Sequence, residues 1–446
     1  VSVAGIGDHA TATLDAALMA RRAVQLAAPG AEVRLSLHGL ACPAEEAGRH
    51  HCRLRCHVLG VCGAGSDALA EWITSRIYGP DDGGHAREGD AGLEGEAAAL
   101  ELAAALAGLQ GLRGADLLVC THPVVLCLLA FRVSWGPRAP SRERGEPQRG
   151  PPAAPMLVHV ASTLLYGAPG CSVCSGRLRR YGTPAASEYL RAARGLLSGG
   201  APLLALAEGA VLSAQLLHQI GVPVPSVPPL ALYLDGTSYL RDSRGGGRTA
   251  PAGKRRTVLV TRARLFAHPA GFFLRCMLEE LAVVNGPLAD ASRGHFWFAG
   301  AAEDAWRSWE EMTTCLAAFF IPSDIHQRTF IELYRMSVPT FMPDAAWMLR
   351  LPLLAPFGVF AYDGSLTPAE LGDAGVPRGP PVAFDPEETG AVRAFFHWYH
   401  YSDYAHLPWV EHCSSIPDFL RRLVEADLPG TAQRMRAHYA LLERGA

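Results

Sequence analysis

Chemistry in this chain concentrates where an apolar run meets a cluster of polar groups. Ala317-Ala-Phe-Phe-Ile reads as a buried strand that stops at Pro322, and Ser323, Asp324, His326, Arg328 and Glu332 follow within ten residues. Ser323 and Asp324 are both favoured N-caps, so a helix is expected from about 324 to Met336, with Val338-Pro339 opening the next strand. Asp324 and Glu332 lie eight residues apart, a little over two turns, which puts them on broadly similar sides of that helix. A helix N-terminus at a strand's carboxyl edge offers backbone N–H groups and a positive dipole end to a phosphate. A carboxylate two turns along can accept hydrogen bonds from a ribose diol. The plainer alternative is a capping Asp324 and a solvated Glu332.

Further candidates sit at strand ends. Thr261, Arg262 and Arg264 follow the strand Thr257–Thr261, and a planar guanidinium can hold two phosphate oxygens at once. His122 ends the run Asp116-Leu-Leu-Val-Cys-Thr and could act as general base toward an acceptor hydroxyl. His397, His400, His406 and His412 fall among aromatic residues and read as part of an aromatic wall, with a metal as the lesser alternative. His50, His51, Cys52, Cys56, His57 and Cys62, with Cys171 and Cys174, allow a structural zinc on paper. Strand alternation would send the first group to different faces, which argues against it. Walker A, G-x-G-x-x-G and G-x-S-x-G patterns do not occur, which weakens kinase, dehydrogenase and hydrolase readings.

The elements that must position these groups alternate strand and helix. Strands are expected at 33–40, 116–120, 156–161, 203–207, 257–261, 316–321 and 340–342. Helices are expected at 10–26, 94–109, 187–197, 209–219, 272–284 and 327–336, with closing helices at 417–426 and 431–444. Short, continuous apolar strands between helices indicate parallel sheets buried on both faces. Two breaks stand out. Gly136 to Pro155 is rich in Pro, Arg and Gly and reads as a surface insertion; Asp235 to Arg256 reads as an interdomain linker. Gly79 to Gly92 is a further loop.

A chain of 446 residues, 49% hydrophobic and 19% charged, can build two or three cores. The net charge of -3 gives no bulk signal for nucleic acid or an anionic membrane. Lys254 is the only lysine and Asn285 the only asparagine, and Asn285 is followed by Gly-Pro, so no N-x-Ser/Thr acceptor exists. The 11 cysteines include Cys120, Cys127, Cys276 and Cys315 in apolar runs, so mostly free, buried thiols are expected. No apolar stretch reaches membrane-spanning length. The start at Val1 suits a fragment or processed product, which leaves the compartment open between cytoplasm and, given an upstream signal or anchor, the ER/Golgi lumen.

The segment Pro322, Ser323, Asp324, Glu332 and Pro339 resembles the Glu-x7-Glu region of GT-B glycosyltransferases. More distantly, Glu332 to Pro343 looks like divergent eukaryotic, protist-type glycosyltransferase-like proteins. Asp324 departs from that pattern where Glu is usual, Ile325 to Arg328 replaces a small Gly-rich turn, and Ser337 replaces a Gly. The resemblance implies an α/β fold of two Rossmann-like domains facing each other, their parallel sheets flanked by helices. An acceptor-side domain would span 1–240, with the insertion near 136–155, and a nucleotide-sugar domain 257–446, with the closing helices. It implies a hexosyl- or related glycosyltransferase using a nucleoside-diphosphate sugar, with a glycan, protein or small molecule as acceptor and no required cofactor or metal. Glu332 would then bind ribose and Asp324 lie near the sugar. Ser323, His326, Arg328, Arg262 and Arg264 would attend the phosphates, and His122 would serve catalysis. The alternative is an inactive GT-B-like binding or scaffold protein.

Overall fold

The computed structural model describes residues 1–7, 10–38, 115–121, 124–135, 155–161, 184–200, 202–240, 255–261, 269–284, 297–300, 309–322, 325–354, 366–371 and 391–445. The expected helix at 94–109, the loop at 79–92, and the His/Cys groups at 50–62 and 171–174 lie outside these residues. The chain divides into two compact units: Val1–Val227 with Asp363–Gly379, and Pro228–Tyr362 with Pro380–Ala446. The division thus falls after Val227, and the expected linker 235–256 falls within the second unit.

The first unit runs β1 (Ser2–Ile6), α1 (Ala10–Ala27), β2 (Arg34–His38), β3 (Leu117–Cys120), α2 (Val124–Trp135), β4 (Met156–Val160), α3 (Pro184–Leu197), β5 (Leu203–Glu208), α4 (Gly209–Ile220) and β6 (Ser226–Val227). Its six strands lie in the order β2-β1-β3-β4-β5-β6, every neighbouring pair parallel. β1, β6 and α2 add to the elements expected from sequence. Close packing of α1 on the sheet requires Gly5: a Cβ there would lie 2.6 Å from a Leu37 methyl and 3.1 Å from Thr13 Cγ2. The Thr13 and Thr121 hydroxyls then bond across that contact at 2.8 Å. Val3, Ala16, Ala20, Val119 and Leu157 form the core beneath.

Two features of this unit correct or extend the sequence reading. Cys120, the last residue of β3, and Cys127, in the first turn of α2, are joined in a disulfide, with Cα atoms 5.6 Å apart. They are therefore not free thiols; among the described residues Cys276, Cys315 and Cys413 are. His38 ends β2 fully buried, and both its ring nitrogens lack a hydrogen-bond partner. Burial pushes its imidazole down to about 4 from the ordinary value near 6.5. The folded state holds His38 neutral while the unfolded chain protonates it, so stability is full above pH 6.5 and declines as pH falls toward 4. The slope is at most about 1.4 kcal/mol per pH unit. Urea midpoints from pH 7.5 to 4.5 should show this loss, and His38→Leu should flatten the part due to this residue.

The second unit begins with a single 3-10 turn at Leu232–Leu234. It continues β7 (Arg255–Thr261), α5 (Pro269–Val284), β8 (Trp297–Gly300), α6 (Trp309–Thr314), β9 (Cys315–Phe320), α7 (Arg328–Arg335), β10 (Thr340–Pro343), α8 (Ala345–Leu354), α9 (Ala391–Tyr401), α10 (Asp403–His406), β11 (Glu411–Cys413), α11 (Ile416–Glu425) and α12 (Leu428–Gly445). Its five strands, again all parallel, lie in the order β11-β10-β9-β7-β8. β9 is buried on both faces, as its unbroken apolar sequence implies. Phe319 stacks on Phe419 of α11 with ring centres 4.3 Å apart. Its neighbour Phe320 meets Phe330 of α7 at 5.4 Å and Tyr404 of α10 at 5.9 Å. Among the described residues, no helix is long and apolar enough to cross a membrane.

Candidate functional site

An open parallel sheet binds ligands beyond the carboxyl ends of its strands, where the strand order reverses. In the second sheet the chain places β8 on one side of β7 and β9, β10 and β11 on the other, so the reversal lies between β7 and β9. Thr261 and Phe320 end these two strands and are register partners. Thr261 is 3% exposed, and its hydroxyl has no hydrogen-bond partner. β7 continues into Arg262 and Arg264, and β9 into the segment carrying Ser323 to Glu332. Arg262, Arg264, Ser323 and Asp324 themselves lie outside the described residues, as does His122 after β3 in the first unit. The order reversal of the first sheet falls between β1 and β3, beside that strand end.

The helix after β9 starts later than its capping residues suggest. Its N-cap is Gln327, in extended backbone, and its first residue is Arg328. The intervening Ile325 is fully buried, and the Tyr404 hydroxyl reaches the Gln327 side-chain oxygen at 3.4 Å, so burial and a tertiary contact override the local capping preference. The helix that carries Glu332 therefore begins at Arg328, with Asp324 outside the described residues.

His326, Arg328 and Glu332 follow one another along this loop and helix. His326 turns Nδ1 toward Asp403 of α10, 3.6 Å away, with its side chain 6% exposed. Arg328 and Glu332 are both buried, although each carries a polar head group. The Tyr233 hydroxyl donates to Glu332 Oε1 at 2.6 Å, which accounts for the burial of that carboxylate. Glu332 is thus held inside rather than solvated on a helix face. Tyr233 and Asp403 carry no signal in the sequence reading, because they stand 99 and 77 positions from the groups they contact.

The return into β10 answers the Ser337 question. Ser337 has φ +60, buried, and its hydroxyl has no partner. Its N–H bonds Tyr334 O at 3.0 Å, and the Val338 N–H bonds Leu333 O at 3.0 Å, the paired bonds that close a helix through a left-handed residue. Serine therefore occupies the conformation glycine favours. Ser337→Gly removes that backbone penalty and an unsatisfied hydroxyl, so a gain of roughly 1 kcal/mol is expected after the entropy glycine adds to the unfolded chain. Thermal unfolding reads it; a loss of stability would show the turn is not left-handed.

The histidines later in the chain pack among rings. His397 meets Trp398 and Tyr401 with centres 5.0 and 5.4 Å away, and Phe395, Trp398 and Tyr404 are buried. Among the described residues no group of three His, Cys, Asp or Glu side chains is arranged to hold a metal ion. Burial pushes the Cys413 thiol up to about 12, so it is not a nucleophile near neutral pH.

No family model matches this chain, and no curated protein matches it. Among solved structures it is similar to the glycotransferase of kitacinnamycin, at 12% identity over 99% of this chain and 94% of that one, with a TM-score of 0.32. That is a distant structural match to a glycosyltransferase.

Proposed function

We propose that this chain is a glycosyltransferase, a GT-B-like pair of Rossmann-like domains that moves a sugar from a nucleoside-diphosphate sugar to a hydroxyl acceptor. The observation that carries this reading is the strand-order reversal between β7 and β9. It picks out, independently of any motif, the two strands whose continuations hold Arg262, Arg264 and the Glu332 unit. Glu332 would accept the ribose hydroxyls through the oxygen not bonded to Tyr233. Ser323, His326, Arg328, Arg262 and Arg264 would attend the diphosphate, and Asp324 the sugar. In the reaction the acceptor oxygen bonds the anomeric carbon as the bond from that carbon to the diphosphate oxygen breaks. The electron pair leaves on the diphosphate, where cationic groups stabilise it, and the acceptor proton passes to His122.

The rival reading, an inactive relative serving as a binding or scaffold protein, draws on the departures at Asp324 and Ser337. Of these, Ser337 adopts the left-handed conformation that glycine favours. Calorimetric titration of the purified protein with UDP- and GDP-sugars separates the two. Saturable binding of one donor, with sugar release in the presence of simple acceptors, supports the transferase. An absence of heat with either favours the scaffold.

A further inference from the structure

The segment after β6 belongs to the second unit and is strapped to the candidate site. Ala231 takes a left-handed conformation, φ +46, and starts the 3-10 turn that presents Tyr233. On one side of the turn the Tyr439 hydroxyl of α12 donates to Leu230 O. On the other, Asp235 pairs with Arg335, the last residue of α7. Further along, the Tyr239 N–H donates to Met336 O at 2.8 Å, and its hydroxyl to Leu316 O at 3.1 Å. The Tyr233 ring lies 5.4 Å from the Trp309 ring of α6. Tyr233 is therefore held from both flanks and by ring packing, and the C-terminal end of α7 is tied twice.

This arrangement delivers to the site the bond from the Tyr233 hydroxyl to Glu332 Oε1, between residues each 6% exposed. A buried carboxylate has two oxygens and about four acceptor positions, and among the described residues the Tyr233 hydroxyl is the donor to this one. A phenol fixed on Oε1 sets the side-chain torsions of Glu332 and so the direction of its second oxygen.

We propose that Tyr233 is a positioning residue that aims Glu332 at the vicinal hydroxyls of a ribose, and thereby makes the site selective for ribonucleoside over deoxyribonucleoside diphosphates. The inference rests on the donor-site reading above and adds to it a specificity-setting partner. A pre-oriented acceptor loses little freedom on binding a diol. A dideoxy ligand would leave a desolvated carboxylate oxygen without a donor, and sites built around a hydroxyl discriminate strongly for that reason.

The test is calorimetric titration of UDP and GDP, and of their 2′,3′-dideoxy forms, into the wild type, Tyr233→Phe, Glu332→Ala and the double variant. Tyr233→Phe keeps the ring and its packing, and its folding is checked by thermal unfolding. For whichever ribonucleotide the wild type binds, Tyr233→Phe should weaken affinity about tenfold while leaving the dideoxy form unchanged, and should add nothing in the Glu332→Ala background. Equal weakening of both forms, or no weakening of either, would overturn the positioning role while leaving the donor site standing. Failure of the wild type to bind either ribonucleotide would sink the donor site and this inference with it.

Discussion

Glu332→Ala is expected to reduce affinity for the nucleoside diphosphate by at least about 100-fold, because each hydrogen bond to a charged acceptor is worth roughly 1.5–3 kcal/mol and the diol makes two. The same change leaves the buried Tyr233 hydroxyl without its acceptor, at a cost of about 1–3 kcal/mol in stability. A binding loss alone would thus be confounded with damage to the fold, and Glu332→Gln resolves this. The amide oxygen still accepts from Tyr233, so stability should stay near wild type, while the lost charge still weakens the ribose contact. Calorimetry beside thermal unfolding on both variants reads the two effects separately. Wild-type affinity in Glu332→Ala at unchanged nucleotide selectivity would remove Glu332 from the site.

Phe419→Ala should be the most destabilising single change in the second unit, by about 3–5 kcal/mol, the range for emptying a buried aromatic position. Phe419 is fully buried, stacks on Phe319 and meets Phe341 edge-on at 5.4 Å, so it joins α11 to two neighbouring strands at once. Neither strand can close the void, since β9 and β10 are held in register between Phe319 and Phe341. Phe272→Ala is the matched control: its ring is 58% exposed on α5, and a change within about 0.5 kcal/mol is expected. Urea unfolding should show the Phe419 loss in the transition of the second unit alone. A loss under about 1 kcal/mol would mean the stacked rings do not form this core.

Much of the α/β alternation was legible because it is written locally. Continuous apolar runs such as Leu203–Ala207 and Ala317–Ile321 read as strands of a parallel sheet, and the helices between them carry their own apolar spacing. Short or polar strands were not legible. β11 is only Glu411-His-Cys, and it is a strand solely because β10 offers it unpaired backbone groups. The start of α7 matches the expected helix at 327–336, whereas the capping residues alone pointed to about 324. Ser323 and Asp324 prefer to cap, but burying Ile325 and anchoring Gln327 against Tyr404 outweigh a preference worth only about 1 kcal/mol.

Residue type and spacing by themselves determined the class of this protein, parallel α/β, while the proposed ribose role of Glu332 comes from the resemblance of its segment. Only the tertiary structure decided the order of the strands, hence that the reversal lies between β7 and β9, and only it supplied Tyr233, the Cys120–Cys127 bond and the left-handed turn at Ser337. The reason is one of range. Hydrophobic period and turn chemistry act over a few residues, whereas strand order and a hydrogen bond across 99 positions depend on which buried surfaces find each other once the chain has closed on itself.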